Sequence, residues 1–208
     1  MNIKEVKNIW GEEWAHDICV ISEAIHHLKL DKDCKILDIG TGQGIMAVCL
    51  ALEGYRVITG EPEEGSEAYK HYEQEIGDFR HHHEHHGYDF TDWKEAAKVA
   101  DVEDEIEFKH FNAENLPFLS ESFDAVFLYD ALQHIEDREK AINESIRITR
   151  PEGVICVIET NDNGIRYYKE TEGFDIDKVD PRDFSLNYDI STGIIEGEYS
   201  NAYIFKRE

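Results

Sequence analysis

The chain has 208 residues, 41% of them apolar, and a formal net charge of −25 from 46 acids against 21 bases. That length suits one domain with a sizeable core, and the apolar fraction excludes a disordered chain. So acidic a surface repels phosphate backbones, which argues against nucleic acid as a partner. The four cysteines, Cys19, Cys34, Cys49 and Cys156, form no C-x-x-C pair and no disulfide framework. No apolar run reaches the roughly 18 residues of a membrane-crossing helix, and the first residues lack a signal-peptide core. The expectation is a cytoplasmic protein with no membrane contact; oligomeric state has no signature in the sequence.

Trp14, Ile18, Ile21, Ile25 and Leu28 recur at helical spacing and predict an amphipathic helix over about 12–29. "KILDIG" then reads as a buried strand, "TGQG" as a turn, and "IMAVCLALEG", apolar almost all round, as a helix buried against a sheet. "YRVITGEP" (55–62) is the next strand, stopped by Gly60 and Pro62, so the first third is a parallel βαβ unit. "DWKEAAKVADVED" supplies a crossover helix before a third strand, "IEFKHFNA" (106–113). A fourth strand, "FDAVFLYD" (123–130), precedes a helix in "EDREKAINESIRIT", which "RPEG" breaks. "GVICVIET" (153–160), β-branched and continuous, is a fifth, buried strand. "DFSLNYDI" and "NAYIFKR" alternate and predict an antiparallel pair at the sheet edge.

About forty residues separate the second and third strands, where a crossover needs only about 10–12. Residues from about 63 to 91 are therefore extra, and they hold a run of five histidines within six residues, His81, His82, His83, His85 and His86. The insertion leaves the sheet at its carboxyl edge, where open α/β sheets bind ligands, so it is expected to form a cap or lid beside the ligand pocket. Three roles compete for its histidines: a metal grip by i, i+4 pairs, contact with substrate together with Tyr88, or a solvated polar helix. No cysteine lies near, and no metal site is assigned.

The segment "DIGTGQG" places Gly40, Gly42 and Gly44 after a strand and before a helix, where the backbone turns tightly and admits a ligand close to the main chain. Gly42, Gly44 and Ala47, with Glu61 19 residues past Gly42, also satisfy the dinucleotide fingerprint, so a nicotinamide cofactor has to be weighed. Asp38 at the strand end argues the other way. A carboxylate faces a pyrophosphate poorly and suits a cationic amine, and a positively charged nucleoside without phosphate fits Asp38 and Glu61 together.

The chain resembles the class I S-adenosylmethionine-dependent methyltransferases, most closely their quinone-biosynthesis-like branch. "ILDIGTGQG" matches the D-x-G-x-G-x-G motif and "VITGEP" the strand ending in a ribose-binding acid. "FNAENLPFLSESFDAVFLYDALQHIED" and "RITRPEGVICVIE" are similar to the family's later segments, and together these cover most of residues 35–160. The resemblance implies a doubly wound, Rossmann-like, mostly parallel seven-stranded sheet with an antiparallel edge strand and helices on both faces, in one domain spanning 1–208. It implies that Gly40, Gly42 and Gly44 bed the methionine part of S-adenosylmethionine and that Asp38 binds its amine, directly or through water. Glu61 would take the ribose hydroxyls, Asn112 and Ala113 the adenine edge, with Pro62 on the adenine face and the Tyr129 carbonyl near the amine. Asn112 departs from the family's usual Asp. Trp10 and Trp14 stand where an N-terminal helix closes over the cofactor in relatives, although Trp14 also belongs to the apolar stripe.

The implied reaction is in-line methyl transfer to a small-molecule acceptor, which requires alignment and exclusion of water more than a dedicated nucleophile. No Ser–His–Asp or Cys–His constellation is legible. Asp130 and His134, which follow the fourth strand, are the candidates for a base. A non-catalytic S-adenosylmethionine-binding or regulatory protein on the same fold is the alternative.

Overall fold

A computed structural model gives the structure of the chain and describes residues 7, 9, 10, 15–71, 92–171, 173, 175–184 and 190–207. The first helix, α1 (Ala15–Leu28), leads into β1 (Ile36–Ile39), α2 (Ile45–Leu52) and β2 (Val57–Glu61). After the insertion come α3 (Trp93–Val99), β3 (Ile106–His110), β4 (Phe123–Tyr129), α4 (Arg138–Ile148) and β5 (Thr149–Thr160). The chain closes with α5 (Asp162–Thr171), β6 (Ile190–Glu196) and β7 (Ser200–Arg207). The strands form one seven-stranded sheet in the order β3-β2-β1-β4-β5-β7-β6.

The central strands are buried on both faces, as their continuous apolar runs require. Along β4 the side chains alternate. Ala125 and Phe127 join a core with Ile18 and Ile21 of α1 and the whole buried run Ile45–Ala51 of α2. Val126 and Leu128 face the opposite core, with Ala141, Ile142 and Ile146 of α4. Side chains cap α3 and α4: Asp92 accepts from the Lys94 amide at 3.1 Å, and Asp137 from the Lys140 amide at 3.0 Å. β1 pairs in parallel with β2 on one side and β4 on the other, so the chain winds away from β1 in both directions. The crevice at the carboxyl ends of β1 and β4 is the switch point at which such sheets bind ligands.

Two features differ from the sequence reading, while the expected antiparallel pair at the sheet edge is present: β7 pairs antiparallel with both β5 and β6. Its buried run Ala202–Phe205 takes the inner place against Ile155–Ile158, while β6 exposes Thr192, Gly193 and Ile194. β6 also begins later than expected, because Pro181 opens a 3-10 turn over Pro181–Phe184 and the strand starts at Ile190. Finally, "NDNGIRYYKE" is helical: the Asn161 side chain accepts from the amides of Asn163 (2.9 Å) and Gly164 (3.1 Å) and starts α5. Among the described residues no helix is long and apolar enough to cross a membrane.

Gly60 fixes how closely β2 approaches β3. A Cβ there would meet the Lys109 carbonyl oxygen at 1.9 Å and Phe111 Cε1 at 2.5 Å. Gly60→Ala is expected to destabilise the fold by about 3 kcal/mol, the upper range for overpacking, read as a lower denaturation midpoint; an unchanged midpoint would contradict this packing.

Candidate functional site

A cavity of about 830 Å³ opens at the switch point, within the size range of small-molecule and cofactor sites. Of the residues expected around a cofactor, it is lined by Gly40 and Gly42 after β1, Glu61 and Pro62 after β2, Asn112 and Ala113 after β3, and Tyr129 at the end of β4. Asp130 and His134 line it as well. Asp38 and Gly44 lie behind this wall.

Gly44, at φ +82°, caps α2, and a Cβ there would fall 2.8 Å from Trp93 Cβ at the start of α3. Gly40, at φ +89°, leaves room for Ala131, whose Cβ a side chain would approach to 2.8 Å. Both positions combine a left-handed backbone with a neighbour too close for any side chain. The loop between them turns on a hydrogen bond from the Gly44 amide to the Thr41 carbonyl at 2.7 Å and is tied to β2 by the Gly40 amide on the Gly60 carbonyl at 3.0 Å.

Beneath the loop, Asp38 is fully buried. Thr59, its cross-strand neighbour, donates to Asp38 Oδ2 at 2.7 Å, and the Thr41 hydroxyl lies 2.9 Å from that of Thr59. With the Thr59 proton committed to a carboxylate, Thr41 is the donor of the second bond. Oδ1 of Asp38 has no hydrogen-bond partner among the described residues. Burial first, and the Glu61 charge second, push the Asp38 carboxyl up to about 7 against the opposing Thr59 bond. An orphaned carboxylate oxygen of this kind under a glycine loop suits a cationic group brought in by a ligand.

Glu61 Oε1 accepts the Gly42 amide at 2.6 Å, so the acid at the end of β2 also shapes the loop. Asn112 Oδ1 accepts the Glu114 amide at 2.8 Å, closing a turn after β3. This caps the strand and commits the side-chain carbonyl locally while its NH₂ remains a donor. The Tyr129 hydroxyl donates to Asp17 Oδ2 of α1 at 2.9 Å. Asp130 sits at φ +48° directly after β4, half-buried, and accepts from Gln133 Nε2 at 2.7 Å and Thr160 Oγ1 at 3.2 Å. Glu159, buried behind it, accepts the Leu132 amide at 2.8 Å. Burial raises Asp17 to about 6, Glu159 well above the usual carboxylate range, and Asp130 also, where the His134 charge opposes it.

Several contacts were not legible in the sequence. The Tyr129–Asp17 bond joins residues far apart in the chain, and Asp17 was read only as part of a helix. Tyr168 of α5 lines the cavity because that helix follows β5. Trp10, a candidate for closing over a cofactor, is buried and donates Nε1 to the Gln43 carbonyl of the glycine loop at 3.1 Å. Trp14 lies outside the described residues, as do His81, His82, His83, His85, His86 and Tyr88 of the expected cap. Of the insertion's described part, Ala68 and His71 line the cavity. Among the described residues no group of three or more His, Cys, Asp or Glu side chains is placed to hold a metal.

A doubly wound sheet with a glycine loop, a buried acid beneath it and an acid at the end of β2 defines a nucleoside-binding protein of the α/β class. Residues 37–157 match the family described as a methyltransferase domain, more than half of the chain, and the protein belongs to that family. It is 27% identical over 162 residues to the 27-O-demethylrifamycin SV methyltransferase of Amycolatopsis mediterranei, covering 72% of this chain and 52% of that one. It is 28% identical over 125 residues to the demethylmenaquinone methyltransferase of Clavibacter sepedonicus, covering 60% of this chain and 40% of that one. The chain thus spans about half or less of these curated relatives. Among solved structures, the PH0226 protein from Pyrococcus horikoshii OT3 superposes with a TM-score of 0.67 at 18% identity, over 96% of this chain and 93% of that one. A SAM-dependent methyltransferase from Aquifex aeolicus gives 0.62 at 13% identity over the full length of both (100% and 100%). These two likenesses establish the shared fold. Family membership implies S-adenosylmethionine as the cofactor, and the orphaned Asp38 oxygen, the left-handed loop and the cavity fit it.

The position of Asp38 has a measurable consequence for stability. Its folded value, about 7, lies above the unfolded 3.8, so its protonated form is favoured in the ligand-free fold. Its contribution is fully present below about pH 4 and is lost as pH rises toward 7. Asp38→Asn is therefore expected to be more stable than the parent at pH 8 by about 2 to 4 kcal/mol, and to match it more closely at pH 4. Denaturation curves at the two pH values check this; a variant less stable at pH 8 would contradict the assignment.

Proposed function

We propose that the protein is an S-adenosylmethionine-dependent methyltransferase acting on a small-molecule acceptor. The observation that carries the reading is the convergence on one cavity of the glycine loop, Glu61 and the β4 end, with Asp38 beneath them. Glu61 has the reach and charge to take both ribose hydroxyls, and its bond to the Gly42 amide orients it for that. Asn112 and Ala113 stand at the adenine edge and Pro62 on its face. Gly40 and Gly42 leave main-chain surface for the methionine part, Gly44 supports the loop from behind against Trp93, and Asp38 and the Tyr129 carbonyl serve the amine. When bound, S-adenosylmethionine supplies a methyl group on a sulfonium that is already electrophilic. The chain's own work is then to align the acceptor, exclude water and accept a proton where one is released, for which Asp130 and His134 on the cavity wall are the groups at hand.

The same reading extends to setting. The protein is proposed to be one domain over 1–208, working in the cytoplasm, where four free cysteines are stable in reduced form. The insertion at 63–91 is assigned to the acceptor side because Ala68 and His71 line the cavity. The net charge of −25 supports a free small molecule, rather than nucleic acid, as the partner.

Calorimetry tests the donor site. S-adenosylhomocysteine is expected to bind and NAD not to bind, and Glu61→Ala is expected to weaken the former by about 2 kcal/mol, the scale of lost charged hydrogen bonds. NAD binding in its place would overturn the assignment. Incubation with methyl-labelled donor and a metabolite extract then separates an enzyme from a regulatory protein on the same fold: label appears in a small molecule only if the chain turns over.

A further inference from the structure

The cavity wall is one-sided in charge. Among the described residues it carries seven acidic side chains and neither Lys nor Arg; His71 and His134 are its basic groups. Glu61 belongs to the donor end. Away from the glycine loop stand Asp130 at the end of β4, Glu136 after the 3-10 turn Leu132–His134, and Asp175 and Asp177 after α5. Asp175 is paired with Lys169. Asp177 and Glu136 are exposed at the mouth, whereas Asp130 is half-buried within the wall.

An independent feature lies behind this wall. Asp17 and Glu159 are buried beside Asp130, each with only 6% and 2% exposure, and each raises the charge problem of its neighbours. The charged groups facing this trio are His16 and Asp17 from α1, His134 from the 3-10 turn, Glu159 from β5, and Arg138 of α4 on the Glu159 side. Two buried carboxyls and the half-buried Asp130, against so little cationic charge, leave a deficit that a bound cation would relieve. The rest of the lining suits an organic one: Tyr129, Tyr168, Ile135 and Ile176 offer ring faces and aliphatic surface.

Resting on the donor site proposed above, we infer that the acceptor end of this cavity takes an amine carrying an apolar ring or chain, and that Asp130 is the catalytic residue that receives its proton. The amine arrives as an ammonium, drawn in by the acidic mouth and held against Asp130 and the tyrosine faces. The proton passes from nitrogen to the Asp130 carboxylate, which frees the lone pair. The nitrogen lone pair then forms the new bond to the methyl carbon, while the carbon–sulfur bond breaks and its electron pair stays on sulfur, leaving a neutral thioether. An acidic wall also offsets the repulsion between two cations, ammonium and sulfonium, brought side by side. An acceptor bearing a carboxylate or phosphate at this end would meet like charge instead.

The test uses three probes of one skeleton, phenethylamine, 2-phenylethanol and phenylacetate, titrated into the full chain saturated with S-adenosylhomocysteine, so that binding is read without turnover. The amine is expected to bind about tenfold tighter than the alcohol at low salt, with phenylacetate weakest, and to lose that advantage as salt is raised. Asp130→Asn and, separately, Asp177→Asn are expected to weaken the amine at least about threefold and leave the alcohol unchanged; the exposed Asp177 keeps the experiment readable if Asp130→Asn fails to fold. Phenylacetate binding as well as the amine, or amine affinity indifferent to both substitutions, overturns the inference while the donor site stands. Failure of S-adenosylhomocysteine to bind at all removes the donor reading and this inference with it. A parallel loss of S-adenosylhomocysteine affinity in Asp130→Asn reassigns Asp130 to the donor end and also overturns it.

Discussion

Four residues of β1, Ile36 to Ile39, hydrogen-bond to β2 on one side and to β4 on the other, and all four are buried. This double pairing sets the register in which Asp38 meets Thr59 and in which the loops after β1, β2 and β4 emerge at one level of the sheet. Because connections leave β1 in opposite directions, those loops diverge and a crevice opens between them. The cavity is therefore a consequence of strand order. What the sequence adds is the chemistry of its rim: glycines where backbone must turn left-handed, an acid at the end of β2, and a tyrosine–aspartate pair at the end of β4.

The electrostatics of the site run against the stability of the empty protein. Asp38, Asp17 and Glu159 are buried, with folded-state values raised by desolvation, so the fold alone favours the neutral form of each. Such groups persist where a ligand repays them, which is why strained ionisation and function coincide at clefts. In this chain the tension is sharpened by a net charge of −25, since self-repulsion already loads the compact state.

The parts of the fold that could be read in the sequence are those with a single physical cause. Continuous apolar runs gave the central strands, and the helical stripe of Ile18, Ile21 and Ile25 gave α1, because burial on both faces or one face leaves a periodic trace. α5 was missed because its first turn contains Asn, Asp and Gly, which resemble a loop, yet Asn161 caps the helix and a Cβ at Gly164 would strike the Tyr199 carbonyl at 2.2 Å. The antiparallel edge pair was legible from its alternation, whereas β6 was placed too early, because alternation marks a half-buried strand without fixing where it begins. At the site, the loop glycines and Glu61 were legible from spacing, whereas the Tyr129–Asp17 bond and the hidden position of Asp38 depend on packing between distant elements. The histidine run had the loudest composition in the chain, and composition by itself gave it no role.

Tyr129 has two attachments of different kinds. The residue lines the cavity, and its hydroxyl is fastened to Asp17 in α1, a helix that packs on the sheet through Ile18, Ile21 and Ile25. The residue that shapes the pocket is therefore also a rivet of the N-terminal helix. A lineage exploring new ligands by changing this position would loosen α1 wherever the hydroxyl is lost, and would keep the change only alongside a repair at Asp17. Diversification of the pocket is thus channelled toward walls without such a second duty, such as the residues after α5, and away from the end of β4.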